Sequence, residues 1–329
     1  MRRFIIIAAL VLCANAFGQA GGLLRSDTWV GGELAWKSCW DVSKPESRKV
    51  AVALAGLLCL ADERVELSQV AGKGGRFDAI IEWLNRSARS SVLARESGKG
   101  RLGIGDVFVS CALLQFQVLR PKKGSPAFGS KLCAAIFSDR QFLTSLFITD
   151  SRHYLRGRSG ALSRCWFFEL MSLASWVDVP VPQHVGRMTE KWRGEQLRLD
   201  PRGPQRYRLL SLLFCDLHAR EKYEVDSIRE ICARIGGCWE KELRGRLGDP
   251  EFNYLLTVGL WRAGENRLLH QWESDLRSGV FSRVLKDGPR RGTWPLKSTH
   301  ELKLGAGVVS FLNCLTQLTL HCMSRAAIR

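Results

Sequence analysis

The sequence predicts an all-α fold built from helical hairpins, and three observations lead to this prediction. Six apolar stretches recur along the chain, with starts at positions 50, 106, 162, 206, 253 and 307. Amphipathic stretches with helical spacing lie between them. No segment shows the run of alternating β-branched residues that a sheet needs. A spacing near fifty residues between similar stretches is typical of a repeat architecture.

The apolar stretches are hydrophobic almost all round, which is typical of buried helices. They are VAVALAGLLCLA (50–61), DVFVSCALLQFQVL (106–119), LSRCWFFELMSLASW (162–176), RYRLLSLLFCDLHA (206–219), NYLLTVGLWRAG (253–264) and GVVSFLNCLTQLTLHC (307–322). We expect these six helices to form the inner part of the molecule.

The amphipathic stretches are expected to form outer helices with one face turned inward. They are FDAIIEWLNRSA (77–88), SDRQFLTSLFI (138–148), VGRMTEKWRGEQLR (185–198), VDSIREICARI (225–235) and NRLLHQWESDLRSGVF (266–281). About six hairpins of this kind can close into an α/α toroid with inner and outer rings of helices. An open solenoid is the alternative, but it needs polar end caps, and the stretch 307–322 is too apolar to be one.

The N-terminus has the pattern of a cleaved secretory signal peptide. Arg2 and Arg3 precede an apolar segment (4–14) that is too short to span a bilayer. Small residues then permit cleavage, for which Ala20 is the expected site. The prediction is a signal peptide over 1–20, a single toroid domain over 21–329 and a secreted or periplasmic protein without a transmembrane segment.

The chain is strongly basic, with 49 Lys and Arg against 32 Asp and Glu, a net charge of +17. This charge favours an anionic or amphipathic ligand such as a polysaccharide or a lipid. Nucleic acid is not expected, because no basic run is dense enough to indicate a dedicated patch. The alternative is a basic surface that only keeps the protein in solution.

Ten of the eleven cysteines follow the signal peptide, and most lie inside apolar helical stretches. Cysteine packs well in cores as a small hydrophobic residue, and the spacing forms no metal or disulfide framework. We therefore expect mostly free, buried thiols. If disulfides form, Cys232 and Cys238, or Cys39 with a distant partner, are the expected participants.

Several stretches resemble one superfamily: KVAVALAGLLCLA with IIEWLNRSA, DVFVSCALLQFQVL, SRCWFFELMSLASWVDVPVP, and NYLLTVGLWRAGENRLLHQWESDL followed by RRGTWP. They are similar to repeats of the α/α-toroid superfamily of squalene–hopene cyclases and prenyltransferase β-subunits. In particular, they are similar to small secreted bacterial proteins with prenyltransferase/squalene-oxidase repeats. In the G-x-W turn of these repeats, Gly292 would allow a tight turn and Trp294 would pack on the next helix. Gly236 to Trp239 resembles the same turn.

The motifs that the resemblance would require for catalysis are missing. The D-x-D-D acid of the cyclases and the D-x-C zinc ligands of the prenyltransferases do not occur in the sequence. Cys215 and His218 share a helical face and would need a third ligand such as His270 to hold zinc, so no metal and no cofactor are expected. The resemblance therefore implies a non-catalytic binding or scaffold module.

Two alternatives stay open: an isoprenoid- or lipid-binding, cyclase-like protein, and a polysaccharide-active toroid enzyme. Other toroids cut polysaccharides with a Tyr/His/Arg set, for which Tyr207, Arg206, Tyr254 and His153 are candidates. The central cavity distinguishes the hypotheses. An apolar cavity favours lipid, a polar cleft with convergent Tyr, His and Arg favours sugar chemistry, and a filled centre favours scaffolding.

A binding site is predicted where the N-terminal ends of the inner helices gather. Each end presents unpaired N–H groups and a partial positive charge, which favour an anion. We predict that a ligand contacts Arg164, Arg206, Tyr207 and Tyr254. The alternative is that these residues are ordinary caps and loop ends. Arg48, Lys49 and Asp106 are expected at the same ends, with Asp106 as an N-cap after the glycine loop 98–103.

Overall fold

The computed structural model describes residues 44–61, 76–119, 128–147, 158–198, 205–219, 225–244, 247–283 and 316. The described residues form helices joined by loops, and no strand occurs among them, which confirms the all-α class. The α-helices are α1 (Pro45–Ala61), α2 (Arg76–Glu96), α3 (Ile104–Leu119), α4 (Phe128–Ser138), α5 (Arg140–Phe147), α6 (Arg158–Trp176), α7 (Gln183–Arg198), α8 (Arg206–His218), α9 (Val225–Gly237), α10 (Pro250–Ala263) and α11 (Asn266–Gly279). A π-helical turn (Trp239–Leu243) and a 3₁₀ turn (Phe281–Arg283) complete the described elements.

The helices lie in two layers, as the two kinds of stretch predict. Consecutive apolar helices pack side by side: α1 against α3, α3 against α6, α6 against α8, and α8 against α10. The amphipathic helices α2, α7, α9 and α11, together with α4 and α5, pack against them from one side. Five of the six predicted hairpins are therefore present. The sixth apolar stretch, 307–322, lies outside the described residues except for Thr316.

The apolar helices run in the same direction where their contacts can be followed. Lys49 Nζ donates to Asp106 Oδ1 at 2.7 Å, which places the first turns of α1 and α3 together. The hydroxyl of Tyr207 donates to Asp249 Oδ2 at 2.9 Å, which does the same for α8 and α10. Further along, α8 and α10 are so close that a Cβ at Gly259 would lie 3.0 Å from the side chain of Leu213.

Helix α10 shows how local sequence sets the ends of these helices. The side chain of Asp249 accepts a hydrogen bond from the N–H of Phe252, and Pro250 occupies the first turn, where its missing N–H costs nothing. The helix ends at Gly264, whose φ of 76° is left-handed and favours glycine. Local sequence therefore marks both ends of this helix, which begins three residues before the predicted stretch 253–264.

Large aromatic side chains fill the space between the two layers. Trp272 of α11 is fully buried, donates its indole N–H to Thr257 Oγ1 at 3.2 Å and meets Trp239 edge-on with ring centroids 5.8 Å apart. Phe168 of α6 packs on Trp192 of α7 with centroids 5.7 Å apart. Burial of such side chains stabilises the fold by about 1.5–3 kcal/mol each.

The structure corrects two predictions about helix boundaries. The predicted outer helix 138–148 is broken at Asp139, whose carboxylate accepts from the N–H groups of Gln141 and Phe142 and so starts α5. Asp106 is not an N-cap. It lies in the first turn of α3, and its Oδ2 accepts from the N–H of Gly103 at 2.9 Å, so its side chain bonds back to the residue before the helix.

Two further predictions fall in the segment around Cys238. Helix α9 continues through Gly237 into a π-helical turn, so no tight glycine turn forms at Gly236. Trp239 does pack on a later helix, because its indole N–H donates to Asp275 of α11 at 3.0 Å. Cys232 and Cys238 are free thiols, so the disulfide expected there is absent. The other G-x-W turn, at Gly292, lies outside the described residues.

Candidate functional site

Arg206 and Tyr207, two of the predicted ligand residues, lie together at the start of α8. Arg206 Nη2 donates to the Tyr207 hydroxyl at 3.1 Å, and the guanidinium lies 4.7 Å from the centre of the tyrosine ring. Arg206 also donates to the backbone oxygen of Glu242 at 2.9 Å, and its own N–H donates to the Glu242 carboxylate. These contacts fasten the start of α8 to the π-helical turn and to Asp249.

Arg164 and Tyr254 have other surroundings. Arg164 donates to the carbonyl oxygen of Leu146 at 3.0 Å and lies over the ring of Trp192, so it faces the outer helices α5 and α7. Tyr254 stacks on Trp166 of α6 with ring centroids 5.6 Å apart. These contacts of Arg164, of Tyr254 and of the Arg206–Tyr207 pair involve different residues. Their joint role in a ligand site stays a prediction.

Tyr254 belongs to a set of polar side chains between α6 and α10 that we call the inner polar cluster: Trp166, Glu169, Ser172, His218, Glu251, Tyr254 and Arg262. Arg262 forms an ion pair with Glu169, and its second terminal nitrogen donates to the Ser172 hydroxyl at 3.2 Å. The Trp166 indole N–H donates to Glu251 at 3.0 Å. Hydrogen bonds and an ion pair thus cross directly from α6 to α10.

Two titratable members of the inner polar cluster are neutral near pH 7. Burial, reinforced by Arg262, lowers the pKa of His218 to about 4. Burial and then the charge of Glu169 raise the pKa of Tyr254 above its usual value, against the opposing effect of Arg262. The cluster therefore combines one balanced ion pair with a neutral imidazole and a neutral phenol. The sequence analysis named Tyr254 and His218 in separate contexts but did not bring them together with Glu169 and Arg262, because the four residues lie on three different helices.

A different kind of surface lies between α1 and α2. We call it the first groove, a depression of about 560 Å³. Its lining residues are Pro45, Arg48, Lys49, Trp83, Arg86, Ser87, Ser90, Ser91, Ala94, Gly100 and Arg101. All the charged residues in this lining are basic. The groove lies at the end of the molecule where α1 and α3 begin, which is the end at which the sequence places Arg48 and Lys49.

One face of α2 forms a wall of the first groove. Its lining residues between positions 83 and 94 follow one another at intervals of three and one, which places them in one stripe of a helix. The side-chain hydroxyls of Ser87 and Ser90 make no hydrogen bond with other described residues. The guanidinium of Arg101 makes neither a hydrogen bond nor an ion pair there. Their polar groups are therefore available to a ligand.

Lys49 uses its charge in two ion pairs within the fold. Its ammonium contacts both Asp106 at 2.7 Å and Glu46 at 2.8 Å. Burial acts to lower the pKa of Lys49, but Asp106 and then Glu46 outweigh it, so the pKa is raised. Lys49 organises the floor of the groove. Arg101 and Arg86, whose only ion pair among the described residues is an exposed one with Glu82 at 3.8 Å, supply charge for an anion.

The second groove adjoins the first and has a volume of about 470 Å³. It is lined by Arg95, Gly98, Gly100, Arg101, Ser138, Asp139, Arg140 and Gln141. Arg95 lies 3.1 Å from Asp139, so one of its three arginines is paired. The glycine loop 98–103 connects α2 to α3. A glycine-rich turn that binds a nucleotide would follow a strand, whereas this loop follows a helix. Gly98 has a left-handed φ of 70°.

Metal and thiol chemistry receive little support from the described part of the chain. It contains no group of three His, Cys, Asp or Glu side chains that could hold a metal ion. Cys215 is buried, and burial raises its pKa far above the usual value. Burial likewise raises the pKa of Cys133 and of Cys232 to about 12. Thiols in this state are protonated near neutral pH and are poor nucleophiles.

No protein-family model, curated protein or solved structure matches the chain. The resemblance to the toroid superfamily therefore stays a prediction, with the all-helical class as its confirmed part. Among the described helices, none combines the length and the apolar character needed to cross a bilayer.

Proposed function

We propose that the protein is a secreted, non-catalytic binding module that holds an anionic ligand in the first groove. In this proposal α1, α3, α6, α8 and α10 are inner helices of an α/α toroid, and the stretch 307–322 completes the ring. The observation that carries the proposal is the lining of the first groove. It combines exclusively basic charged residues with the hydroxyls of Ser87 and Ser90, which have no partner among the described residues, while Ser91 donates to Asp106.

The chemistry of the first groove suits an anion with further hydroxyl or acid oxygens. Arginine guanidinium groups donate several hydrogen bonds in a planar fork that matches carboxylate, sulfate or phosphate. Ser87 and Ser90 can donate to or accept from neighbouring oxygens of the same ligand. Trp83 supplies a flat apolar surface beside them.

The inner polar cluster favours binding over catalysis in the centre. The two helices α6 and α10 touch through the Trp166–Tyr254 stack and the Glu169–Arg262 ion pair. These contacts occupy the space between the two helices, and this supports a scaffold because an open cavity between them would be needed for a substrate. Arg262 and Glu169 are paired with each other there, whereas the side chain of Arg101 in the first groove pairs with no other described residue.

Binding of a heparin tetrasaccharide tests the proposal. We expect the double variant Arg86→Ala, Arg101→Ala to weaken binding at least tenfold, because each arginine contributes about one charge-assisted contact. The matched control is Arg229→Ala, Arg267→Ala, which removes the same charge from exposed positions of α9 and α11. Isothermal titration calorimetry at several salt concentrations measures both.

The same titration defines the outcomes that contradict the proposal. Equal losses in the two double variants would mean that only the overall charge of the protein matters. Absence of binding to the tetrasaccharide and to phosphatidylglycerol vesicles would reject an anionic ligand. Binding to vesicles alone would favour the lipid-binding alternative.

A polysaccharide-active enzyme is the second candidate. The residue types of the inner polar cluster support it, whereas the direct contacts among them support the first proposal. Glu169, Tyr254, Arg262 and His218 bring a carboxylate, a phenol, a guanidinium and a neutral imidazole together. We would assay a panel of acidic polysaccharides for new reducing ends and unsaturated uronates. If this candidate is right, Glu169→Gln abolishes the turnover, and exposed Asp226→Asn does not. Absence of turnover across the panel rejects it.

A further inference from the structure

The two basic grooves are parts of one surface. Gly100 and Arg101 line both of them, so the loop after α2 is the point at which one groove passes into the other. The first groove follows α2 from Trp83 to Ala94, and the second begins at Arg95, the next residue. A ligand that fills the first groove therefore meets residues that also line the second.

This surface is longer than a single anion requires. The part that follows α2, from Trp83 to Arg95, extends about 18 Å at the α-helical rise per residue. The second groove continues beyond the end of α2 to Arg140 at the start of α5. Arginines occur at both ends and in the middle, with Arg86 in the first groove, Arg101 shared and Arg140 in the second. Several anionic groups along one chain would match this distribution, and an isolated anion would use only part of it.

We propose that the two grooves form one track that binds an extended acidic polysaccharide, with Arg140 as a distal contact. This inference rests on the proposed function, because it takes the first groove as the primary site. The side chain of Arg140 is exposed and makes no hydrogen bond or ion pair with the other described residues. Asp139 beside it is occupied with Arg95 and with the start of α5, so it does not cancel the charge of Arg140.

The wall of the track favours sugar over other polyanions. Ser87, Ser90 and Ser138 place hydroxyls along it, which match the hydroxyl and ring oxygens of a sugar chain. Trp83 is the one aromatic side chain in the lining of the two grooves, whereas a single-stranded nucleic acid is bound on several stacked aromatic rings. The track is also concave, and a planar membrane surface would not reach its floor.

The test compares a heparin dodecasaccharide with the tetrasaccharide on the full-length protein. We expect the longer chain to bind the wild type at least tenfold more tightly at moderate salt. Arg140→Ala should weaken dodecasaccharide binding about tenfold and leave tetrasaccharide binding unchanged, because only the longer chain reaches the second groove. Arg101→Ala should weaken both. The control Arg267→Ala removes an exposed arginine of α11 and should change neither.

The outcomes separate this inference from the proposed function. If the tetrasaccharide binds but the dodecasaccharide gains nothing and Arg140→Ala has no effect, the track is wrong and the first groove stands. If neither oligosaccharide binds, both proposals fail. A single-stranded oligonucleotide of the same total charge distinguishes the ligand class. Equal or tighter binding of the oligonucleotide, with the same dependence on Arg140, would overturn the assignment to polysaccharide.

Discussion

The two grooves and the inner polar cluster both gather charged side chains, but only the grooves contain arginines, Arg101 and Arg140, whose side chains pair with no other described residue. Six basic residues line the grooves (Arg48, Lys49, Arg86, Arg95, Arg101 and Arg140) against a single acid, Asp139. Within the inner polar cluster and on the adjacent helices α7 and α8, two arginines each form an ion pair with a carboxylate on another helix. Arg262 pairs with Glu169, and Arg193 of α7 pairs with Asp216 of α8.

The difference separates structural charges from charges available to a ligand. A buried carboxylate is stabilised only when a partner replaces its hydration, so its loss or the loss of its partner weakens the fold. An exposed arginine without a partner is hydrated, and removal of its charge costs the fold little. The predictions below test this division in order of decreasing effect on stability.

Asp216→Ala should have the largest effect. The Asp216 carboxylate is fully buried and accepts from Arg193 at 2.5 and 2.9 Å and from Ser227 of α9 at 2.5 Å, which joins three helices. Its removal leaves the Arg193 guanidinium without its main anion. We expect a loss of about 3–5 kcal/mol in the free energy of unfolding. Urea denaturation measures it.

The control for Asp216 is Asp226→Ala. Asp226 pairs with Arg229 on the exposed face of α9, where both side chains are at least 70% exposed. We expect a change within about 0.5 kcal/mol. Comparable losses in the two variants would show that burial does not decide the importance of these ion pairs.

The pH dependence of stability should reveal His218. Its pKa is about 4 in the folded protein and 6.5 in the unfolded chain, so between these values the unfolded chain binds the extra proton. The stability contribution of the neutral imidazole is complete above pH 6.5 and is lost as the pH falls towards 4. The full interval corresponds to about 3 kcal/mol.

His218→Gln isolates this effect from the carboxylates that titrate in the same range. Glutamine has no proton to gain, so the difference in unfolding free energy between wild type and variant should shrink as the pH falls from 7 to 4.5. A difference that stays constant over this range would show that His218 is not held neutral by burial and by Arg262.

The sequence located five hairpins because hydrophobic periodicity is a local property. It missed the break at Asp139, although a Ser-Asp pair before Arg140 is a capping pattern that could have indicated a new helix. The first groove was predicted only through Arg48 and Lys49. Arg86 and Arg101 join them because α2 packs antiparallel on α1, and no local pattern shows which face of α2 turns to that end.

The inner polar cluster was even less accessible to sequence analysis. Glu169 and Arg262 are 93 positions apart, and Tyr207 and Asp249 are 42 positions apart. Such pairs depend on which apolar helices become neighbours. The sequence placed Arg164 and Tyr254 on the correct helices. It could not show that they face α7 and α6, because their rotation is set by packing.

Arg262→Met should have an intermediate effect. Methionine keeps the length and apolar stem of the side chain but leaves Glu169 and Ser172 without the guanidinium. The Glu169 side chain is 22% exposed, so water partly replaces the lost partner. We expect a loss of about 2 kcal/mol in the free energy of unfolding. The double variant with Glu169→Gln should recover part of it, because no unpaired charge then remains. If the double variant recovers none of the lost free energy of unfolding, the unpaired Glu169 carboxylate is not the cause of the loss.

Arg101→Ala should have the smallest effect on stability. It therefore tests whether a charge available to a ligand can be removed at little cost to the fold. Arg101 is exposed, lies in the loop between α2 and α3 and makes no hydrogen bond or ion pair with the other described residues. We expect its replacement to change the free energy of unfolding by no more than about 0.5 kcal/mol. Binding of the heparin tetrasaccharide should nevertheless fall, because Arg101 lines both grooves. If stability falls by more than about 1 kcal/mol instead, Arg101 supports the loop, and its charge cannot be assigned to a ligand.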